Sequence, residues 1–169
     1  MRNKLTFAVV VAMLSISSFA AAPAKEAKWS DNFTAAKSVA KKENRPILAN
    51  FTGSDWCVWC IKMENDVFSQ KEFLDFAADN LVLFIADFPE QKQQSASVTK
   101  QNKALNEKYK IPGYPTVLLL DAEGNVLGQT GYQPGGAESF VANLKELLEK
   151  AGVKAPAKPT DKAVAPSAK

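Results

Sequence analysis

The chain contains two cysteines, Cys57 and Cys60, separated by two residues. The apolar run 46–52 before them predicts a short β-strand, and the segment 58–66, which lacks glycine and proline, predicts a helix. Cys57 is therefore expected in the turn where the strand leads into the helix. Backbone N–H groups and the dipole at a helix N-terminus stabilise a thiolate, which can lower a cysteine pKa from ~8.5 to ~3.5–7.5. Because thiolates attack disulfides, this placement suits thiol–disulfide exchange.

The cysteine pair leaves two other interpretations open. In an exported protein it could be an inert structural disulfide, although closing so short a loop restricts the unfolded chain little. A structural zinc site needs four Cys or His ligands, and this chain has two cysteines and no histidine. We therefore expect redox chemistry, with no metal and no cofactor beyond the Cys57–Cys60 disulfide itself.

Composition narrows the classes of function further. At 169 residues and 46% hydrophobic content the chain suits one domain with a core. Without Arg2 and Lys4 the basic residues number 19 against 18 acidic ones, so no strong charge favours nucleic acid or a membrane surface. The absence of histidine excludes Ser-His-Asp and Cys-His hydrolase arrangements.

Residues 1–20 are typical of a Sec-type signal peptide. A basic start is followed by the apolar run 5–16 and by small residues, with Ser18 and Ala20 suited to the −3 and −1 positions of the cleavage site. An uncleaved membrane anchor is the competing interpretation, because residues 5–22 carry no charge. The prediction is a periplasmic protein without a membrane span after cleavage, in a compartment where cysteines can be oxidised.

The remaining chain is divided into a polar lead-in at 21–27, one domain at 28–152 and a disordered tail rich in Ala, Pro and Lys at 153–169. Strands are predicted at 46–52, 81–88, 116–121 and 126–130, and helices at 31–42, 58–66, 69–79, 98–109 and 137–150. Ser30 or Asp31 is expected to cap the first helix and Ser69 the third. Strand 81–88 is apolar enough to be buried on both faces. Helices that connect strands imply parallel pairing and the last two strands form a hairpin, so the fold class is α/β with a mixed sheet and helices on both faces.

Two motifs carry a resemblance to a known family. The sequence WCVWC at 56–60 follows a predicted strand, and GYPT at 113–116 precedes another. Together they resemble the thioredoxin superfamily, in particular exported bacterial thioredoxin-like disulfide reductases of the DsbH type and, more distantly, the C-terminal domain of DsbD. The resemblance covers about 28–152 and implies a thioredoxin-like three-layer fold.

The resemblance also implies roles for individual residues. Cys57 would attack the substrate disulfide and Cys60 would resolve the mixed disulfide. Pro115 would be a cis-proline lying against the cysteine loop. Trp56 and Trp59 would form an apolar collar around the site, and Tyr114 would line the same substrate-binding groove.

The departures from the family pattern bear on the direction of electron flow. Thioredoxins carry a buried aspartate in the strand before the motif, where this chain has Asn50 or, without an inserted residue, Phe51; Asp55 is expected to be solvated. Val58 and Trp59 replace the histidine of strongly oxidising relatives, which favours a reductant. The resemblance thus implies a monomeric reductase of envelope-protein disulfides supplied by a membrane electron donor of the DsbD type. A disulfide oxidase or isomerase, or a binding module with a permanent disulfide, are the alternatives.

Overall fold

A computed structural model describes residues 26–153, which form a five-stranded sheet with helices on both faces. The strands are β1 (Trp29–Ser30), β2 (Ile47–Thr52), β3 (Val82–Asp87), β4 (Thr116–Leu120) and β5 (Val126–Thr130). The helices are α1 (Phe33–Glu43), α2 (Val58–Met63), α3 (Lys71–Asn80), α4 (Ala96–Tyr109) and α5 (Gly136–Lys150). A π-helical turn, Glu64–Phe68, continues α2, so helical structure extends past the predicted end at residue 66.

Strand β2 lies in the middle of the sheet, whose order is β1-β3-β2-β4-β5. It pairs in parallel with β3 and antiparallel with β4, and all six of its residues are buried. The pair β4–β5 is antiparallel. The predicted mixed sheet is therefore confirmed, but β3 is less buried than its sequence predicts. Ile85 and Asp87 are half-buried, in the part of β3 that lies beyond its pairing with the two-residue strand β1.

The side chains of the sheet alternate between two apolar layers, as strand geometry requires. One layer packs under α2, α3 and α5 and includes Leu48, Leu83 and Val117. The other packs under α1 and α4 and includes Ile47, Phe51 and Phe84. Since β2 contributes to both layers, the strand that leads to Cys57 is held by the whole core.

Three local predictions were wrong at helix ends. Asn32, rather than Ser30 or Asp31, caps α1, where its Oδ1 accepts the Ala35 N–H at 2.9 Å. Ser69 does not cap α3, because it ends the π turn and donates to the Asn65 carbonyl at 3.2 Å. Helix α4 begins two residues early, with Ser95 accepting the Val98 N–H at 3.3 Å.

Strand β1 was missed because two residues carry no periodic pattern. It positions Trp29, whose ring centroid lies 5.1 Å from that of Phe68. The predicted signal peptide 1–20 and the tail after Val153 lie outside the described residues. Between residues 26 and 153, no helix combines the length and apolarity needed to cross a bilayer.

Candidate active site

Cys57 lies where β2 leads into α2, as predicted. It is the N-cap residue of α2 in an extended conformation, with its Sγ accepting the Cys60 N–H at 3.3 Å. Cys57 and Cys60 form a disulfide with their Cα atoms 5.2 Å apart, and both residues are buried. The Gly53 N–H points at Cys60 Sγ, 3.5 Å away. Cys57 Sγ thus lies at the N-terminus of α2, and Cys60 Sγ lies under the turn that precedes the helix.

Gly53 allows an indole ring to cover the turn before the cysteines. A Cβ at position 53 would lie 2.5 Å from the Trp56 ring, closer than any side chain tolerates. The Trp56 indole N–H donates to the Phe88 carbonyl at 2.7 Å, and 40% of the residue remains exposed. Trp56 is therefore part of the site surface and is fixed by residues 53 and 88.

The loop before β4 lies against Cys57. The Tyr114–Pro115 peptide bond is cis, as the resemblance implies. The Tyr114 carbonyl oxygen lies 3.7 Å from Cys57 Sγ. The Tyr114 ring stacks on Phe88, with centroids 5.0 Å apart, and meets the Trp56 ring edge-on at 6.0 Å. These three rings, which we call the aromatic wall, are Trp56, Phe88 and Tyr114; burial raises the pKa of the Tyr114 hydroxyl.

A second aromatic group, Trp59 and Tyr132, lines the same cavity as Pro115. The Trp59 and Tyr132 rings have centroids 5.3 Å apart. The Tyr132 hydroxyl donates to Asp66 Oδ2 at 3.0 Å, and Lys62 Nζ lies 2.8 Å from the same oxygen. The Lys62 ammonium and then the Tyr132 hydroxyl lower the pKa of Asp66, so Tyr132 is held by an ionised carboxylate. Sequence reasoning missed Tyr132 because it lies in a loop without a motif, far along the chain from Trp59.

A groove of about 670 Å³ separates the two groups. It is lined by Trp59, Lys62, Tyr114, Pro115, Gly131, Tyr132 and Pro134. Three of the predicted binding residues therefore line one groove, whereas the fourth, Trp56, lies outside that lining in the aromatic wall. The groove walls are mostly aromatic rings and prolines, which offer apolar contact area to an extended chain.

The surface around the cysteines is unusually apolar. Val58 is 73% exposed, Trp59 56% and Ile61 41%, and Trp56 adjoins them. These are four of the six large hydrophobic residues that are exposed between residues 26 and 153. Such clustering is typical of surfaces that bind other proteins.

Asp55 stays partly exposed to solvent, as predicted, but its carboxylate is hydrogen-bonded in a way that the sequence did not indicate. Its carboxylate accepts the backbone N–H groups of Glu90, Gln91 and Lys92. The bond from Glu90 is the largest cause of its lowered pKa, and those from Lys92 and Gln91 add to it. Asp55 therefore ties the segment after β3 to the cysteine turn.

Asn50 lies on the strand face that carries the cysteine helix. Leu48 belongs to the layer under α2, and side chains two residues apart share a face, so Asn50 points the same way and Phe51 points into the other layer. Asn50 is 4% exposed, and its Oδ1 has no hydrogen-bond partner among the described residues. No group of three or more His, Cys, Asp or Glu side chains suited to a metal occurs within 26–153.

Comparison with known proteins defines the class to which this fold and site belong. A family model described as a thioredoxin-like domain matches residues 33–148. The chain belongs to the thioredoxin-like family and is a thiol–disulfide oxidoreductase.

Particular relatives then narrow the class. The chain is 36% identical over 122 residues to the disulfide bond reductase DsbH of Chlamydia pneumoniae, covering 72% of this chain and 73% of that protein. A solved structure titled DsbH oxidoreductase superposes with a TM-score of 0.70 at 33% identity, covering 83% of this chain and 95% of the other. The thiol:disulfide interchange protein DsbD of Salmonella typhi is 29% identical over 137 residues; the match covers 73% of this chain but only 22% of DsbD. The chain is thus a member of the disulfide reductase family that includes DsbH.

Proposed function

We propose that this protein reduces disulfides of envelope proteins in the periplasm, using Cys57 as the attacking and Cys60 as the resolving cysteine. The observation that carries this proposal is the placement of the two sulfurs. Cys57 Sγ lies at the start of α2 beside the groove and the Tyr114 carbonyl, whereas Cys60 Sγ lies under the Gly53 N–H. A substrate approaching along the groove meets the Cys57 sulfur first.

The reaction transfers two electrons from the dithiol to the substrate. The Cys57 thiolate attacks one substrate sulfur, the substrate S–S bond breaks, and the leaving sulfur takes up a proton as a thiol. The Cys60 thiol then loses its proton, and its thiolate attacks Cys57 Sγ in the mixed disulfide. The second substrate thiolate leaves and is protonated, and the protein retains the Cys57–Cys60 disulfide seen here.

The surroundings of Cys57 Sγ support the reducing direction. Among the described residues, the Cys60 N–H is the hydrogen-bond donor to this sulfur. The Tyr114 carbonyl group directs its partially negative oxygen toward the same sulfur. Neither Val58 nor Trp59 adds a charge that would stabilise the thiolate. A less stabilised dithiol gives electrons away more readily, and ~30 mV of potential corresponds to ~1.4 kcal/mol.

A donor must return two electrons after each turnover. Because soluble reductants are not expected outside the cytoplasm, we propose a membrane donor of the DsbD type, and the relationship to DsbD supports this choice. The exposed apolar residues Val58, Trp59 and Ile61 suit transient docking of both substrate and donor.

The test is the redox potential of the mature protein, obtained by equilibration with glutathione or dithiothreitol buffers. We expect a value near the ~−270 mV of thioredoxin, together with reduction of insulin that is lost in Cys57→Ser. A potential near ~−120 mV would replace the reductase by an oxidase. A wild-type protein without any exchange activity would favour the binding module. Export is tested separately by the N-terminus of the protein isolated from the periplasm, which we expect to follow Ala20.

A further inference from the structure

We propose that Asp55 is a positioning residue that holds the segment 88–92 against the cysteine turn and thereby fixes the aromatic wall beside Cys57. The inference rests on the proposed function in one respect, namely that the wall contacts protein substrates. It assigns a role to a residue that is neither a redox cysteine nor part of the groove.

The first step of the argument is the convergence of three consecutive amides on one carboxylate. Asp55 Oδ1 accepts the Glu90 N–H at 2.9 Å, and Oδ2 accepts those of Gln91 at 2.9 Å and Lys92 at 2.8 Å. Both oxygens are used, and hydrogen bonds to an ionised acceptor are about twice as strong as neutral ones. Lys92 Nζ also reaches Ser54 Oγ at 3.2 Å. An exposed polar segment is thus tied to the turn 54–56 at three points of its backbone.

The second step is that this segment begins with a member of the aromatic wall. Phe88 donates its N–H to the Thr52 carbonyl at 2.8 Å and accepts the Trp56 indole N–H at 2.7 Å. Its ring stacks on Tyr114 at an interplanar angle of 26°. Residues 90–92 therefore constrain the direction in which the chain leaves Phe88, and they act together with the bonds to Thr52 and Trp56 to hold its ring against Tyr114.

The third step connects the wall to the reacting sulfur. The Tyr114 carbonyl oxygen is 3.7 Å from Cys57 Sγ, and Tyr114 is followed directly by the cis-proline. Without the Asp55 carboxylate, the segment 89–92 loses the three hydrogen bonds that its backbone N–H groups donate. The rings of the aromatic wall must then be ordered when a substrate binds. Ordering side chains at that moment weakens binding without changing the chemistry at sulfur.

A matched control exists at the far end of β4. Asp121 Oδ1 accepts the N–H groups of Glu123 at 2.9 Å and Asn125 at 2.8 Å, so it stabilises a turn in the same way. That turn follows the end of β4 opposite to the cis-proline. Asp121→Ala therefore removes a comparable carboxylate clamp and leaves the site untouched.

The experiment compares wild type, Asp55→Ala, Asp55→Asn and Asp121→Ala with fluorescently labelled insulin and with hydroxyethyl disulfide. For Asp55→Ala we expect a KM for insulin raised about tenfold, the effect of ~1.4 kcal/mol of lost preorganisation, with kcat unchanged. Reduction of hydroxyethyl disulfide, which offers too little surface to pack on the three rings, and the redox potential stay as in wild type. Asp55→Asn keeps one acceptor oxygen and should restore part of the insulin KM. Asp121→Ala keeps the wild-type KM.

Other outcomes would overturn the proposal in recognisable ways. An unchanged insulin KM in Asp55→Ala would show that Asp55 does not position the aromatic wall for substrate binding. Equal changes of the redox potential in Asp55→Ala and Asp55→Asn would mean that Asp55 acts through its charge on Cys57. Amide exchange at 90–92 and the Trp56 indole N–H resonance report on positioning without any catalysis. If both stay as in wild type in Asp55→Ala, the proposal fails. A wild-type protein that reduces hydroxyethyl disulfide but not insulin would instead count against the proposed function, while these two signals still decide the role of Asp55.

Discussion

At Gly53 there is no space for a side chain, and only a hydrogen atom fits on the Cα. The missing side chain lets the Trp56 ring lie over the backbone, with the nearest ring atoms 2.5–2.7 Å from where a Cβ would be. Gly53→Ala should push the indole away and break its bond to the Phe88 carbonyl, at a cost of ~1 kcal/mol in the free energy of unfolding. The indole N–H resonance of Trp56 should move in the same variant.

Gly113 provides the control for that substitution. It lies in the loop before the cis-proline, and a Cβ there would meet nothing within 4 Å. Gly113→Ala should leave both the stability and the Trp56 resonance close to wild type. Equal effects of the two substitutions would show that glycine flexibility, rather than space under the ring, matters at position 53.

Asn50 stands behind the cysteine helix, where the thioredoxin pattern has an acid. In Asn50→Asp, burial would raise the pKa of the new carboxyl above its unfolded value of ~3.9. The free energy of unfolding should then be highest below that unfolded value and fall as the pH rises through the folded pKa, by ~1.4 kcal/mol for each unit of the shift. Urea denaturation from pH 4 to pH 9 measures this. Asn50→Leu, which cannot titrate, should show the wild-type pH profile; a flat profile for Asn50→Asp would mean that the site admits water.

At the scale of elements, one arginine side chain caps the C-terminal end of a helix and links that helix to the sheet. Arg45, just before β2, is only 9% exposed in its side chain, and its Nη1 donates to the carbonyls of Ala78 at 2.8 Å and Leu81 at 2.7 Å. These carbonyls lie at the C-terminal end of α3 and lack other helical donors. Arg45→Ala should cost ~2–3 kcal/mol in denaturant unfolding.

The exposed pair Lys71–Asp75 is the natural comparison for Arg45. The Lys71 side chain is 80% exposed and its ion pair is screened by solvent, so Lys71→Ala should lower the free energy of unfolding much less than Arg45→Ala. If Arg45→Ala costs as little, the buried guanidinium contributes no more than a surface ion pair, and α3 is held by its apolar face alone.

Some of these elements could be predicted from the sequence, whereas others could not. Strands β2 and β4, the cysteine turn and the loop at Pro115 follow from apolar runs, glycine and proline, which act over a few residues. The π turn after Met63 has no such local pattern. The hydrogen bonds of Asp55 and the place of Tyr132 in the site were missed because their partners, Glu90 and Asp66, lie far away in the chain. Only the folded sheet brings those pairs together.

For the molecule as a whole, the residues at both ends of the described range 26–153 pack on the same apolar layer. Trp29 packs on Phe68 and Phe73, and Val153 packs on the same layer. A chain ending at Val153 should therefore unfold with the same free energy as the full chain, within ~0.5 kcal/mol. Trp29→Ala should lower it by ~2–3 kcal/mol, because a large ring is removed from a partly buried site. A stabilising effect of residues 154–169 would place part of the core contacts beyond Val153.

The proximity of Cys57 and Cys60 has a consequence when the reduced protein meets an oxidant such as peroxide. If peroxide oxidises one thiolate of the reduced pair to a sulfenic acid, the second thiol lies within the reach set by Cα atoms 5.2 Å apart. It displaces water and forms the same disulfide that substrate reduction leaves behind. The damage thus stops before the irreversible sulfinic acid. The membrane donor proposed above would reduce this disulfide again, so we expect peroxide to cause a lasting loss of activity only when that donor is exhausted.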